Sequence, residues 1–268
     1  MDPLPAAGLA LIGLVVGALG TLIGAGGGFL LLPLLAFLYP RESPDTLTAL
    51  SLAVVCANAI SGSAAYARLR RIDFRSGAIF ALAGLPGALL GAWVTRFLDR
   101  RTFDPLLGAF LLVSGGWLLV RPRHDHAAPA HPTRTLVERD GTIHAYSPRV
   151  ARGALLSLGV GFVSSLLGLG GGIIHVPLMV VFLGFPVHVA TATSHFVLAI
   201  LALAGVLVHA ASGSLAPAWS RVLPLALGVI AGAQGGARLS GRVRDQAILR
   251  ALGLGLALVG LRLLWVRG

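Results

Sequence analysis

The residues able to do chemistry inside the apolar segments of this chain are glycines, hydroxyls, amides and imidazoles, with no lysine anywhere. Two glycine clusters are the densest of them: Gly24-Ala25-Gly26-Gly27-Gly28, followed by Pro33, and Gly168-Leu169-Gly170-Gly171-Gly172, followed by Pro177. Each glycine destabilises a helix by about 1 kcal/mol relative to alanine. Three in a row within an apolar span therefore point to a helix that is meant to break. A break exposes backbone N–H groups, and the half-helix after it presents a partial positive charge at its N-terminus, a combination that binds anions without a charged side chain. Irregular backbone inside a membrane is tolerated only where protein buries it or it lines a cavity. Two such breaks could meet near the midplane around one anion, held by Gly24, Gly26, Gly27, Gly28, Gly168, Gly170, Gly171 and Gly172. The competing reading is close helix packing. It is the better one for the small-xxx-small pairs Gly20–Gly24, Gly87–Gly91, Gly168–Gly172, Gly228–Gly232 and Gly232–Gly236 taken singly, while the broken helix is the better one for the two triple-glycine clusters.

The polar residues within the spans cluster as well. Thr48, Ser51 and Asn58 lie on the third apolar segment; Thr191, Thr193, Ser194 and His195 lie on the eighth, with His175 just past the second glycine cluster and Gln234 on the ninth. Hydroxyls, amides and imidazoles donate hydrogen bonds to oxyanions. Ser51 and Asn58, seven apart, share a helix face, and Asn58 equally suits a role between helices. His175 and His195 are the ionisable groups well inside, candidates for linking proton movement to transport, with a bond to a neighbouring helix as the alternative for each. His188 and His209 fall at segment ends and are expected at the interface.

Absences exclude much. All ten acidic residues lie in loops or at segment ends, so nothing holds a bare cation at the midplane, and anionic or neutral substrates fit better. Without lysine there is no Walker motif, and the glycines lack the strand context of a dinucleotide site. The single Cys56 excludes an internal disulfide and a cysteine-clustered metal site. His124, His126, His131 and His144 match no defined metal spacing. Neither a metal nor a cofactor is called for. The net charge of +11 sits in loops and is all arginine, which suits membrane topology rather than nucleic-acid binding.

The elements that position these residues are apolar segments at about 6–23, 25–39, 46–67, 76–96, 104–120, 151–167, 169–184, 189–210, 221–240 and 247–265. The chain is 56% hydrophobic and 12% charged, with a mean hydropathy of +0.87, against about 25% charged in soluble domains. Most segments approach the roughly 20 residues that cross a bilayer. Segments 25–39 and 169–184 are short, and tilted spans, half-helices and re-entrant segments all remain open for them. The halves repeat: Gly24 with Gly168, Gly26 to Gly28 with Gly170 to Gly172, and Pro33 with Pro177 share an offset of 144, and Thr48 and Ser51 match Thr191 and Ser194. Five crossings per half would invert the halves and put loops 68–75, 121–152 and 238–250 on one side with 14 arginines, against 6 opposite; that asymmetry predicts a cytoplasmic central loop. The expected fold is an all-α membrane protein of about 8–10 transmembrane segments in two homologous, inverted repeats with Gly-rich broken helices. Residues 1–120 and 151–268 form the repeats, and 121–150 a polar linker whose Asp140-Gly141 pair predicts a β-hairpin.

The duplicated glycine break followed by proline resembles the sulfite exporter TauE/SafE family of membrane permeases, and the resemblance covers nearly the whole chain. It implies a bacterial inner-membrane transporter for sulfite, sulfonates or related sulfur-containing anions, with the matching glycines as site elements. His175 occupies the position of Leu31, so the halves differ chemically there. The expected function is a permease for a small oxyanion working by alternating access between the repeats, its partners being the anion and the lipid bilayer. Gly24, Gly26, Gly27, Gly28, Gly168, Gly170, Gly171, Gly172, Thr48, Ser51, Asn58, Thr191, Ser194 and His195 would bind the substrate. A passive anion channel on the same scaffold is the alternative. An intramembrane enzyme using His175, His188 and His195 ranks lower, since no HExxH, catalytic Asp pair or GxSxG appears.

Overall fold

The computed structural model describes residues 4–120, 132–240 and 245–265. His124, His126 and His131 lie outside them. The described chain is helical apart from one hairpin: α1 (Ala6–Ile23), α2 (Gly28–Leu38), α3 (Pro44–Arg68), α4 (Phe74–Thr95), α5 (Arg100–Val120), β1 (Arg134–Val137), β2 (Ile143–Tyr146), α6 (Val150–Leu166), α7 (Gly172–Val181), α8 (Val187–Ala211), α9 (Trp219–Leu239) and α10 (Asp245–Trp265). Local signals set the starts. Ser43 accepts the Thr46 amide at 3.1 Å ahead of Pro44 and Asp45, and Asp73 accepts the Ser76 amide at 3.0 Å to begin α4, as caps do. The expected hairpin is present, antiparallel with Leu136 opposite His144, and Gly141 at φ +89° makes its turn.

Polar ties at the helix ends define two faces. On the hairpin face, Arg71 donates to Glu138 at 2.5 Å and to the Ser240 hydroxyl at 3.0 Å, and the Arg149 amide donates to Leu183 O at 3.0 Å. The α3–α4 turn, the hairpin, the end of α7 and the end of α9 therefore meet there. On the opposite face, Arg221 donates to Glu42 at 2.7 Å, His209 Nδ1 lies 2.9 Å from Asp45, and Arg100 donates to Ala36 O at 3.3 Å. His209 is thus at a segment end, as expected, and is fully buried there.

Glycine contacts give the helix directions. Gly13 and Gly17 of α1 meet Leu225 and Val229 of α9, and Gly87 and Gly91 of α4 meet Leu158 and Phe162 of α6. Each pair runs parallel, at backbone-to-backbone distance, so the packing reading holds for these glycines. α1 begins on the opposite face with α9, and α2 ends on that same face; α6 begins on the hairpin face with α4, and α7 ends there. Each short helix returns the chain to the side it came from. Of the alternatives open for segments 25–39 and 169–184, α2 and α7 fit the re-entrant one: neither continues to the far face.

α3 and α8, 25 residues each and about 37 Å long at 1.5 Å per residue, form the centre and carry Leu47, Leu50, Leu52, Val54, Val55, Val197, Leu198 and Leu201 into the core. By length and composition, five described stretches can cross a membrane: α1, α3, α4, α8, and α9 with the short 3-10 turn before it. Outward side chains such as Leu82, Val113, Leu155 and Leu207 are exposed and apolar. In water a surface so rich in leucine would be a liability; against lipid it is the stable arrangement.

Candidate functional site

The two glycine breaks meet. A Cβ built on Gly172 would lie 2.5 Å from both Gly24 O and the Ala25 Cα, and one built on Gly28 would strike Leu169 O. Gly24 to Gly28 and Gly168 to Gly172 are all buried. Both breaks use the same backbone conformation, with φ of +80°, +74° and +80° at Gly24, Gly26 and Gly27, and +63°, +76° and +81° at Gly168, Gly170 and Gly171. Gly27 and Gly171 are the N-caps of α2 and α7; a side chain in this left-handed region costs about 1–2 kcal/mol. Neither helix has a side-chain cap. The first-turn amides of Gly28, Phe29, Gly172 and Ile173 therefore have no intrahelical acceptor. α2 and α7 run to opposite faces from this point, so their positive N-terminal ends converge on it.

The central helices hold the breaks crosswise. Ser51 of α3 donates to Gly168 O at 2.6 Å, and Ser194 of α8 to Gly24 O at 3.4 Å. Thr48 and Thr191 pack against Gly168 and Gly24 respectively. Asn58 donates to Gly26 O at 2.9 Å. A broken helix orphans carbonyls as well as amides, and buried carbonyls need donors. These side chains, expected to donate to an oxyanion, supply those carbonyls in this conformation. The Thr48 hydroxyl is fully buried and has no hydrogen-bond partner.

His195 joins the cluster through its Nε2, 3.2 Å from the Thr21 hydroxyl. His175 does not: its Nε2 lies 3.1 Å from the Ser157 hydroxyl of α6, the neighbouring-helix bond foreseen as its alternative. Thr193 accepts from the Asp73 amide at 2.9 Å, and Gln234 donates to Ser61 O at 2.9 Å, so both serve helix packing. Two participants were missed from sequence. Thr21 is the one hydroxyl of α1, three residues ahead of Gly24. Tyr66 donates to Thr21 O at 2.7 Å, and its eight-residue spacing from Asn58 on one helix face was the available signal.

The space between the breaks is apolar and filled. Val55 of α3 and Leu198 of α8 both stand against Gly26 and Gly170, and both are buried. The described ion pairs lie at the two faces, not at the breaks. A charged cluster lies on the hairpin face, where Asp73, 8% exposed, accepts from the Ser76 hydroxyl at 2.8 Å, the Tyr146 hydroxyl at 3.0 Å and Arg134. Burial alone would raise the Asp73 pKa, but the Ser76 bonds and Arg134 outweigh it and lower it below the ordinary 3.8. Burial, then the Asp73 charge, push the Tyr146 phenol up.

The family match and one relative span almost the whole chain, and two further relatives span part of it. The sulfite exporter TauE/SafE family matches residues 9–263. The probable membrane transporter protein YunE of Bacillus subtilis is 30% identical over 265 residues, 96% of each chain. A probable membrane transporter protein of Methanocaldococcus jannaschii is 28% identical over 204 residues, covering 74% of this chain and 70% of its own. One from Xylella fastidiosa is 33% identical over 168 residues, covering 63% and 59%. No solved structure matches.

Proposed function

We propose, from the premise that this chain belongs to the sulfite exporter TauE/SafE family, that it is a permease for a small sulfur-containing oxyanion, sulfite or an organosulfonate. Membrane transport is the coarse activity that the family and its relatives carry. The observation behind the finer reading is the meeting of two half-helix N-termini, with uncapped amides and no carboxylate, halfway along α3. Anions are the ligands that such a point attracts.

The reading treats residues 1–120 and 151–268 as inverted repeats. Matching backbone at the two breaks and the crosswise Ser51 and Ser194 bonds support it. The arginine excess of the hairpin face supports a cytoplasmic location for that face. Val55 and Leu198 fill the gap and the breaks are buried from both faces, which favours alternating access over a standing pore. The anion enters when the repeats tilt apart on one face, and Val55 and Leu198 yield their space to it. First-turn amides and the Thr48 hydroxyl then become its donors.

Flux into proteoliposomes from a panel of sulfite, an alkanesulfonate and a carboxylate tests this. A hydrogen bond to a charged ligand contributes about 1.5–3 kcal/mol. Thr48→Val, which keeps the shape, should therefore weaken uptake roughly tenfold or more. Absence of uptake of every panel anion by the wild-type protein would overturn the reading; an unaltered Thr48→Val would remove this residue from the site.

A further inference from the structure

A chain of hydrogen bonds at the first break ends on one imidazole. Asn58 Nδ2 donates to Gly26 O at 2.9 Å, which leaves Asn58 Oδ1 as an acceptor, and the Thr21 hydroxyl fills it at 3.2 Å. A hydroxyl has one hydrogen to give. With that hydrogen given to Asn58, Thr21 Oγ1 meets His195 Nε2, 3.2 Å away, as an acceptor. In the neutral tautomer that matches this chain of donors, the hydrogen is on Nε2 and Nδ1 is a bare lone pair. That nitrogen is buried and makes no hydrogen bond among the described residues. An unmet acceptor at such depth is unfavourable. One proton on Nδ1 turns it into a donor and puts a positive charge beside the break.

The surroundings single out this ring. From α3, Tyr66 meets it edge-on with centroids 5.7 Å apart, Gly62 packs against it, and Cys56 turns toward Ala199 O. α1 and α2 contain no titratable residue. From α4, the Asp73 amide takes Thr193 of α8, while the carboxylate serves Ser76, Arg134 and Tyr146. From α7, His175 is held by Ser157 of α6. Burying an anion with no positive partner is strongly unfavourable, and the imidazole at the break is the group placed to provide one.

We infer that His195 carries a proton across with the anion. Nδ1 takes one proton from water on the loading face as the anion enters, the N–H bond persists while both are enclosed, and it breaks to water on the releasing face. The inference rests on the anion-transport reading above. Linkage is reciprocal, so proton and anion should each raise the affinity for the other by roughly 5- to 150-fold.

Methanesulfonate is the probe, because its acid is strong and it brings no proton of its own. Added to the purified protein in weakly buffered detergent with a pH dye, it should draw about one proton per bound anion, as one imidazole can take. His195→Gln should abolish that uptake and bring the ratio of liposome flux with and without an inward proton gradient to one, whatever its residual rate. His175→Gln should behave as wild type in both. Thr21→Val keeps the imidazole but removes its Nε2 acceptor. It should shift the pH midpoint of methanesulfonate binding, which provides a readout if His195→Gln does not fold. Proton uptake persisting in His195→Gln, lost in His175→Gln, or absent from a wild type that binds methanesulfonate would overturn the inference and leave anion transport standing; so would an unmoved midpoint in Thr21→Val. A wild type that neither binds nor moves any anion of the panel would instead overturn the anion reading.

Discussion

Gly172→Leu should abolish anion flux and lower the thermal midpoint of the purified protein by several degrees, whereas Gly116→Leu should change neither. Both are helical glycines. They differ in what a side chain would meet. A Cβ on Gly172 lies 2.5 Å from Gly24 O and the Ala25 Cα, and one on Gly116 has nothing within 4 Å. Overpacking a core costs about 1–3 kcal/mol when side chains can shift, but here the obstacle is the backbone of the other break, itself held by α3 and α8. Relief would come only by parting the breaks, which also parts the two N-terminal ends that the anion reading needs together. Gly28→Leu, facing Leu169 O from the other side, should do the same. A Gly172→Leu protein that folds and transports normally would show that the meeting of the breaks is incidental.

What was legible in the sequence depended on range along the chain. The helices, the Asp140-Gly141 hairpin and the breaks are written in local residue choice; the hairpin and the breaks appear where read, and the helices start or end a few residues from the apolar segments. The packing role of Gly87, Gly91, Gly228 and Gly232 was legible for the same reason. The return of α2 and α7 was not, because the direction of a short apolar helix is set by its distant partners, here Arg221 with Glu42 and Arg149 with Leu183. Ser51 and Ser194 were found by type and offset, yet their targets, 117 and 170 residues away, are a property of the assembled bundle. Val55 and Leu198 were invisible as a plug, since nothing separates them in composition from any other core pair. His175 and His195 looked alike until their partners separated them.

Asp73→Ala should destabilise the protein by about 3–5 kcal/mol, the effect of removing one partner from a buried ion pair, and should let trypsin cut the hairpin at Arg134 or Arg139 in folded protein that otherwise resists. The carboxylate caps α4 through the Ser76 amide, takes the Tyr146 hydroxyl from β2 and pairs with Arg134 of β1; its own amide is tied to Thr193 of α8. Its loss leaves the buried Tyr146 hydroxyl without that acceptor and Arg134 without its counter-charge, so the hairpin loses its hold on the α3–α4 turn. Asp73→Asn keeps an acceptor for the cap and should lose less. The pH dependence has a definite sign. The folded Asp73 pKa is lowered from 3.8, so its contribution is fully present above about pH 4 and is lost as pH falls through the folded value. The gap in thermal midpoint between wild type and Asp73→Asn should therefore be constant from neutral pH to about pH 5 and close below about pH 4. A gap that instead widened on acidification would mean that the carboxyl is protonated in the folded protein and does not pair with Arg134 as a carboxylate.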